Sequence, residues 1–93
     1  MLARVVEFEG VSQDRLDEMQ REMQGTEPPE GLKAKEIVVL YDAGSEKALV
    51  TLFFDSEEDY QSSDAVLNEM PADETPGRRA SVTKYAVALR QSM

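Results

Sequence analysis

The sequence predicts one ferredoxin-like α+β domain over residues 1–93, paired with a second copy through its sheet. Three observations carry the prediction. Segments of strand and helix character follow one another in the order βαββαβ, the split βαβ arrangement with a four-stranded antiparallel sheet and two helices on one face. The chain has 93 residues, the size of one domain rather than two. Its strand segments are apolar on both faces, more than one layer of helices can cover.

The elements follow in order. Residues 2–8 read as a strand, with Val5 and Val6 supplying β-branched weight and Gly10 ending it. Ser12 is a good helix N-cap, Asp14 suits the positive end of the helix dipole, and Val11 can staple onto Leu16. Leu16, Met19 and Met23 recur at helical spacing as a narrow apolar stripe, and Met19, Met23 and Met70 are expected to fill the core. Gly25 is expected to close the helix as a left-handed cap. Residues 26–33, with Pro28-Pro29 and Gly31, form a loop.

Residues 35–41 make the clearest strand, Asp42-Ala43-Gly44-Ser45 a turn, and residues 48–54 a further strand, so the pair reads as a β-hairpin. Ser56 followed by Glu57, Glu58 and Asp59 starts the second helix with an N-cap and three acids in its first turn. Tyr60, Ser63, Leu67 and Met70 share a face of that helix, and Pro71 stops it. Residues 72–77 are a polar loop, and residues 79–89 a long final strand.

Composition narrows the function classes. The formal charge of -9, from 19 acids and 10 bases, argues against nucleic acid and against anionic membranes, which both need a basic face. Without cysteine or histidine the chain has no thiol chemistry, no Ser-His or Cys-His pair and no His- or Cys-held haem or structural zinc. A carboxylate site for magnesium or calcium stays open on composition, but Glu57, Glu58 and Asp59 are explained by their place in a helix first turn, so no metal is assigned. No secretory signal and no apolar run of spanning length is visible, which makes a cytoplasmic location the default.

In the hairpin, Ile37, Val39 and Tyr41 oppose Val38 and Leu40, and Leu49, Thr51 and Phe53 oppose Ala48, Val50, Leu52 and Phe54. In the last strand Tyr85, Val87 and Leu89 oppose Val82, Ala86 and Ala88. The face without helices would be an apolar patch larger than soluble monomers usually keep. Burying ~500 Å² of it per subunit is worth roughly 12 kcal/mol gross, before association costs. A two-fold homodimer through the open sheet face is the simplest arrangement, with an unlike protein on that face as the rival.

At this point the chain resembles the antibiotic-biosynthesis-monooxygenase-like proteins of the dimeric α+β barrel superfamily. The resemblance spans nearly the whole chain. It rests on the opening Leu2-Ala3-Arg4-Val5-Val6, the hairpin, the helix start Phe54-Asp55-Ser56-Glu57-Glu58, and the closing Val82-Thr83-Lys84-Tyr85-Ala86-Val87. It implies two facing sheets in a homodimer and a pocket in each subunit between sheet and helices. Enzymatic members oxidise aromatic polyketide-type substrates with no metal or organic cofactor. Haem-degrading relatives use an Asn in the first strand with a His and a Trp. Here His and Trp are absent and the only Asn is Asn68, late in the second helix, so that mechanism does not carry over.

The residues that could meet a ligand are Arg4, Tyr41, Tyr60, Tyr85, Arg78 and Arg79. Arg4 sits on the same side of its strand as Leu2, Val6 and Phe8, where a guanidinium needs an anionic ligand or a salt-bridge partner. Each tyrosine can pack its ring and offer a hydroxyl to a substrate carbonyl. Arg78-Arg79 could clamp an anion or pair with a carboxylate, in the same subunit or across the dimer. Lys84 could be a desolvated base or a guard of an exposed edge. Two functions remain: a cofactor-independent monooxygenase-like enzyme acting on a small hydrophobic or aromatic molecule through Arg4, Tyr60 and Tyr85, and a non-catalytic homodimer that binds a small ligand or serves as an interaction module.

Overall fold

The computed structural model describes residues 1–25, 31–69 and 76–92. The expected order is observed: β1 (Leu2–Glu9), α1 (Gln13–Gly25), β2 (Glu36–Asp42), β3 (Lys47–Phe54), α2 (Glu57–Asn68) and β4 (Arg78–Ala86). The strands form one antiparallel sheet in the order β2-β3-β1-β4, the ferredoxin-like topology. No helix among the described residues is long and apolar enough to cross a membrane.

The register sets the two faces. Val39, Val50, Val6 and Val82 are successive cross-strand partners and make one row across the sheet on the helix side. The next residue on β2 and β1 and the preceding one on β3 and β4 face the other way, giving the row Leu40, Leu49, Glu7 and Ser81 on the open side. The side-chain alternation read from the sequence therefore holds in both strands of the hairpin.

The core lies under the helices in two clusters. Val6, Phe8, Val11 and Ala48 form one; Leu52, Phe54 and Tyr60 form the other. Phe54 is fully buried and meets Tyr60 edge-on, with ring centroids 5.4 Å apart. α2 supplies Tyr60 because its start is well determined: the Ser56 hydroxyl accepts the Asp59 N–H at 3.2 Å, and the acids of the first turn favour the positive end of the dipole. One turn on, buried Ser63 accepts the Lys33 N–H at 2.8 Å and ties down the chain before β2.

α1 departs from expectation. Ser12 caps it by accepting the Arg15 N–H at 3.1 Å, but no residue of the helix is buried. Val11, just before it, is fully buried instead, and its backbone is held at both ends: its N–H donates to Glu46 and its carbonyl accepts the Tyr41 hydroxyl at 2.7 Å. The helix is thus pinned at its N-terminus. Met19 is only half-buried and Met23 is exposed, so the methionines do not fill the core. Gly25 is the last helical residue and lacks the left-handed conformation of Gly10 and Gly31. Pro28, Pro29, Met70 and Pro71 lie outside the described residues.

β4 also ends earlier than the pattern suggests, at Ala86 rather than Leu89. Ala86 pairs with Leu2, the first residue of β1, and after the Val87 N–H bonds the Met1 carbonyl at 3.0 Å the neighbouring strand is used up. At the other end of β4, a Cβ on Gly77 would stand 2.5 Å from the Glu9 carbonyl oxygen. Only glycine allows that approach. The same end carries an irregularity: Glu7 pairs with Ser81 but Phe8 with Arg79, which leaves Ala80 as the extra residue.

Candidate functional site

Arg4 is buried, as its position on the helix side of β1 implies, and α2 satisfies it. Its Nε donates to the Asp64 carboxylate at 2.7 Å and its Nη2 to the Asn68 amide oxygen at 3.0 Å. Asp64 and Asn68 stand one helical turn apart and are bonded to each other at 3.2 Å, so the three groups close on themselves. Beside them, Lys84 of β4 lies 4.9 Å from the centre of the Tyr60 ring and pairs with Glu57. The register that sets Arg4 opposite Lys84 brings these groups together under α2.

Two of the phenols are held in the protonated form. Burial pushes the Tyr60 hydroxyl above its usual pKa and nearby Asp64 adds to that, against the opposing fields of Arg4 and Lys84. Tyr41 is pushed up as well, first by desolvation and then by the carboxylates of Glu46, Asp42 and Asp17. Tyr85 is on the opposite side of the sheet: it pairs with Ala3 in β1 and is 54% exposed on the open face. It cannot share one pocket with Arg4 and Tyr60. Arg78 pairs with Glu9, its cross-strand neighbour, and Arg79 donates to the Leu67 carbonyl at 3.3 Å, so each cation is engaged within the subunit.

Two carboxylates are held below their usual range. Glu57 is lowered by the Lys84 hydrogen bond and then by Gln61. Asp42 is lowered by the Ser45 hydroxyl and then by the Gly44 N–H, a turn closure in which the hydrogen bonds are 2.8 and 3.1 Å. A carboxylate lowered on folding adds stability above its unfolded pKa and loses it as pH falls through the folded value. Urea titrations at a series of pH values should therefore show stability declining through and below the ordinary carboxylate range. Asp42→Asn and Glu57→Gln should each flatten that decline. Slopes equal to the parent in both variants would remove these contacts as its cause.

A groove of about 360 Å³ opens between α1 and β2 because the helix does not settle onto the strand. Leu16, Met19 and Met23 line one wall, and Ile37 and Val39 the other, with Gln20 and Gln24 as the polar residues of the lining. Sequence reasoning placed the methionines in the core and did not single out the glutamines. The available signal was the narrowness of the apolar stripe, too thin to seal a helix against a strand.

The open face is the other unusual surface. Its central row is Val38, Thr51, Val5 and Thr83, without an ionisable group. Leu40 is 56% exposed beside it, and Leu49 and Tyr85 are exposed too. In comparisons with known proteins, no family model matches the chain and no curated protein gives a significant match.

Proposed function

We propose that the protein is a cytoplasmic homodimer, joined through the open faces of its sheets, that binds a small hydrophobic molecule in the groove between α1 and β2 without transforming it. The groove carries this reading. Its volume is within the range of small-molecule pockets, its walls are apolar, and its polar groups are two neutral carboxamides. Carboxamides orient a ligand through hydrogen bonds but neither accept nor release a proton near neutral pH. The groups able to do acid–base work lie under α2 instead and are bonded to one another.

The dimer reading rests on the apolar open face and agrees with the resemblance to the antibiotic-biosynthesis-monooxygenase-like barrels. The monooxygenase reading of that resemblance gains less support, since Tyr85 and Arg4 face opposite sides of the sheet and burial disfavours the Tyr60 phenolate.

The test combines native mass spectrometry with binding of Nile red, a neutral hydrophobic dye suited to so acidic a chain. The expected mass is twice the 10.4 kDa of one chain. Met19→Trp puts an indole into the groove from a half-buried position, so the fold should tolerate it. It is expected to weaken dye binding about tenfold, the loss of ~1.4 kcal/mol of contact. Dye affinity unchanged in this variant would overturn the groove as the binding site.

A further inference from the structure

After β4, residues 87–92 cross the end of the sheet as a strap. The Val87 N–H bonds the Met1 carbonyl, and the Arg90 guanidinium reaches the Met1 sulfur at 3.7 Å, lies 5.7 Å from the centre of the Phe53 ring and bonds Glu36 at 2.6 Å. Starting from the β4 edge, the Arg90 guanidinium thus reaches past β1 and β3 to β2, the opposite edge. With Arg90 turned onto its own sheet, Leu89 is left 80% exposed, more than any other large apolar side chain among the described residues.

At the other end of the open face is a hollow of about 290 Å³, lined by Leu40 and Leu49 with Glu7, Tyr41, Asp42 and Lys47 around them. Along β3 the hollow and the strap end are separated by the step from Leu49 to Phe53, ~13 Å of strand. Within one chain, then, the Arg90 anchor that follows Leu89 and the leucine-lined hollow sit at opposite ends of the same face.

We propose that in the dimer Leu89 of each strap enters the Leu40–Leu49 hollow of the other subunit. This rests on the homodimer reading and assigns its contact. A two-fold axis in the contact plane and perpendicular to the strands sets the strap end of one copy over the hollow end of the other, and does so twice. Charge permits the approach even though each chain carries -9 overall. The middle of the face has no ionisable group, Arg90 answers Glu36 at the strap end, and at the hollow end Lys47 stands opposite Asp42 with Glu7 beside them. A second copy is therefore the occupant that supplies both the projecting leucine and a matching surface with an uncharged centre.

The chain has no cysteine, which makes the contact directly testable. Leu89→Cys and Leu49→Cys combined in one chain should, under mild oxidation, give a covalent dimer on a non-reducing gel, and each single variant should not. The two positions are too far apart within a subunit for a disulfide, which needs Cα atoms within about 7 Å. Leu89→Ala should weaken dimerisation about 100-fold, tenfold at each of two sites. Since Leu89 is exposed in the subunit, neither change threatens its fold. A double-cysteine protein that is a dimer by native mass spectrometry but forms no disulfide sinks the strap contact and leaves the dimer standing. Efficient cross-linking of Leu89→Cys alone also sinks it, because the straps would then meet each other. A parent protein that stays monomeric overturns the dimer and this contact together.

Discussion

Leu40→Asp should turn the proposed dimer into a monomer and leave the subunit folded. Leu40 is on β2, on the face without helices, and is 56% exposed in the subunit. A carboxylate there stays in water when the chain is alone, and substitutions at such positions usually change stability by less than about 0.5 kcal/mol. Pairing would carry it into the sheet-to-sheet contact beside Glu7, where Lys47 already faces Asp42. Burying an unpaired charge costs several kcal/mol, and two-fold symmetry imposes that cost twice, so the dissociation constant should rise by at least ~1000-fold. Sedimentation equilibrium gives the mass, and far-ultraviolet circular dichroism checks the fold. A Leu40→Asp protein with the parent's mass and affinity would show that another surface makes the interface.

The second large effect lies under α2, where the order of two substitutions is the prediction. Asp64→Ala should destabilise the subunit by about 3 kcal/mol, because it strips the main counter-ion from a guanidinium that is only 3% exposed. Arg4→Met should cost about 1 kcal/mol, since the methionine fills similar space among apolar neighbours and Asp64, with about a third of its side chain in water, can be solvated. With both changes together the loss should be close to that of Arg4→Met alone, giving a coupling of about 3 kcal/mol. Urea unfolding of the four proteins measures the cycle. If Arg4→Met proved the more damaging single change, the guanidinium would be supplying something other than an answer to Asp64.

The grouping of Arg4 with Val6 and Phe8 on one face was legible because strand side chains alternate, whereas the tertiary structure decided that this face meets the helices. Its partners were not. Asp64 lies 60 residues away, and its acid looks in the sequence like any other on a polar helix. Tyr85 illustrates a different gap. Alternation within β4 sets it opposite Val82 and Ala86, but which of those faces joins Arg4 depends on the register between β1 and β4. The Ala80 irregularity lies within that pairing, so counting along one strand cannot transfer a face to the other.

Helix α1 shows how a correct local reading can miss a packing outcome. Ser12 caps the helix and the Leu16, Met19, Met23 spacing is helical. Whether that stripe is sealed depends on how the helix is docked, and buried Val11 anchors only its beginning. The space left beside β2 is the groove.

Local chemistry was enough to establish the order of strands and helices, the capped start of α2 and the two-sided apolar strands, because turns, caps and alternation act over a few residues. The shape of the groove, the closed Arg4–Asp64–Asn68 cluster and the crossing of the strap were decided by the tertiary structure. Each depends on which distant segments meet and in what register, and that is settled by the packing of the whole chain rather than by any stretch of it.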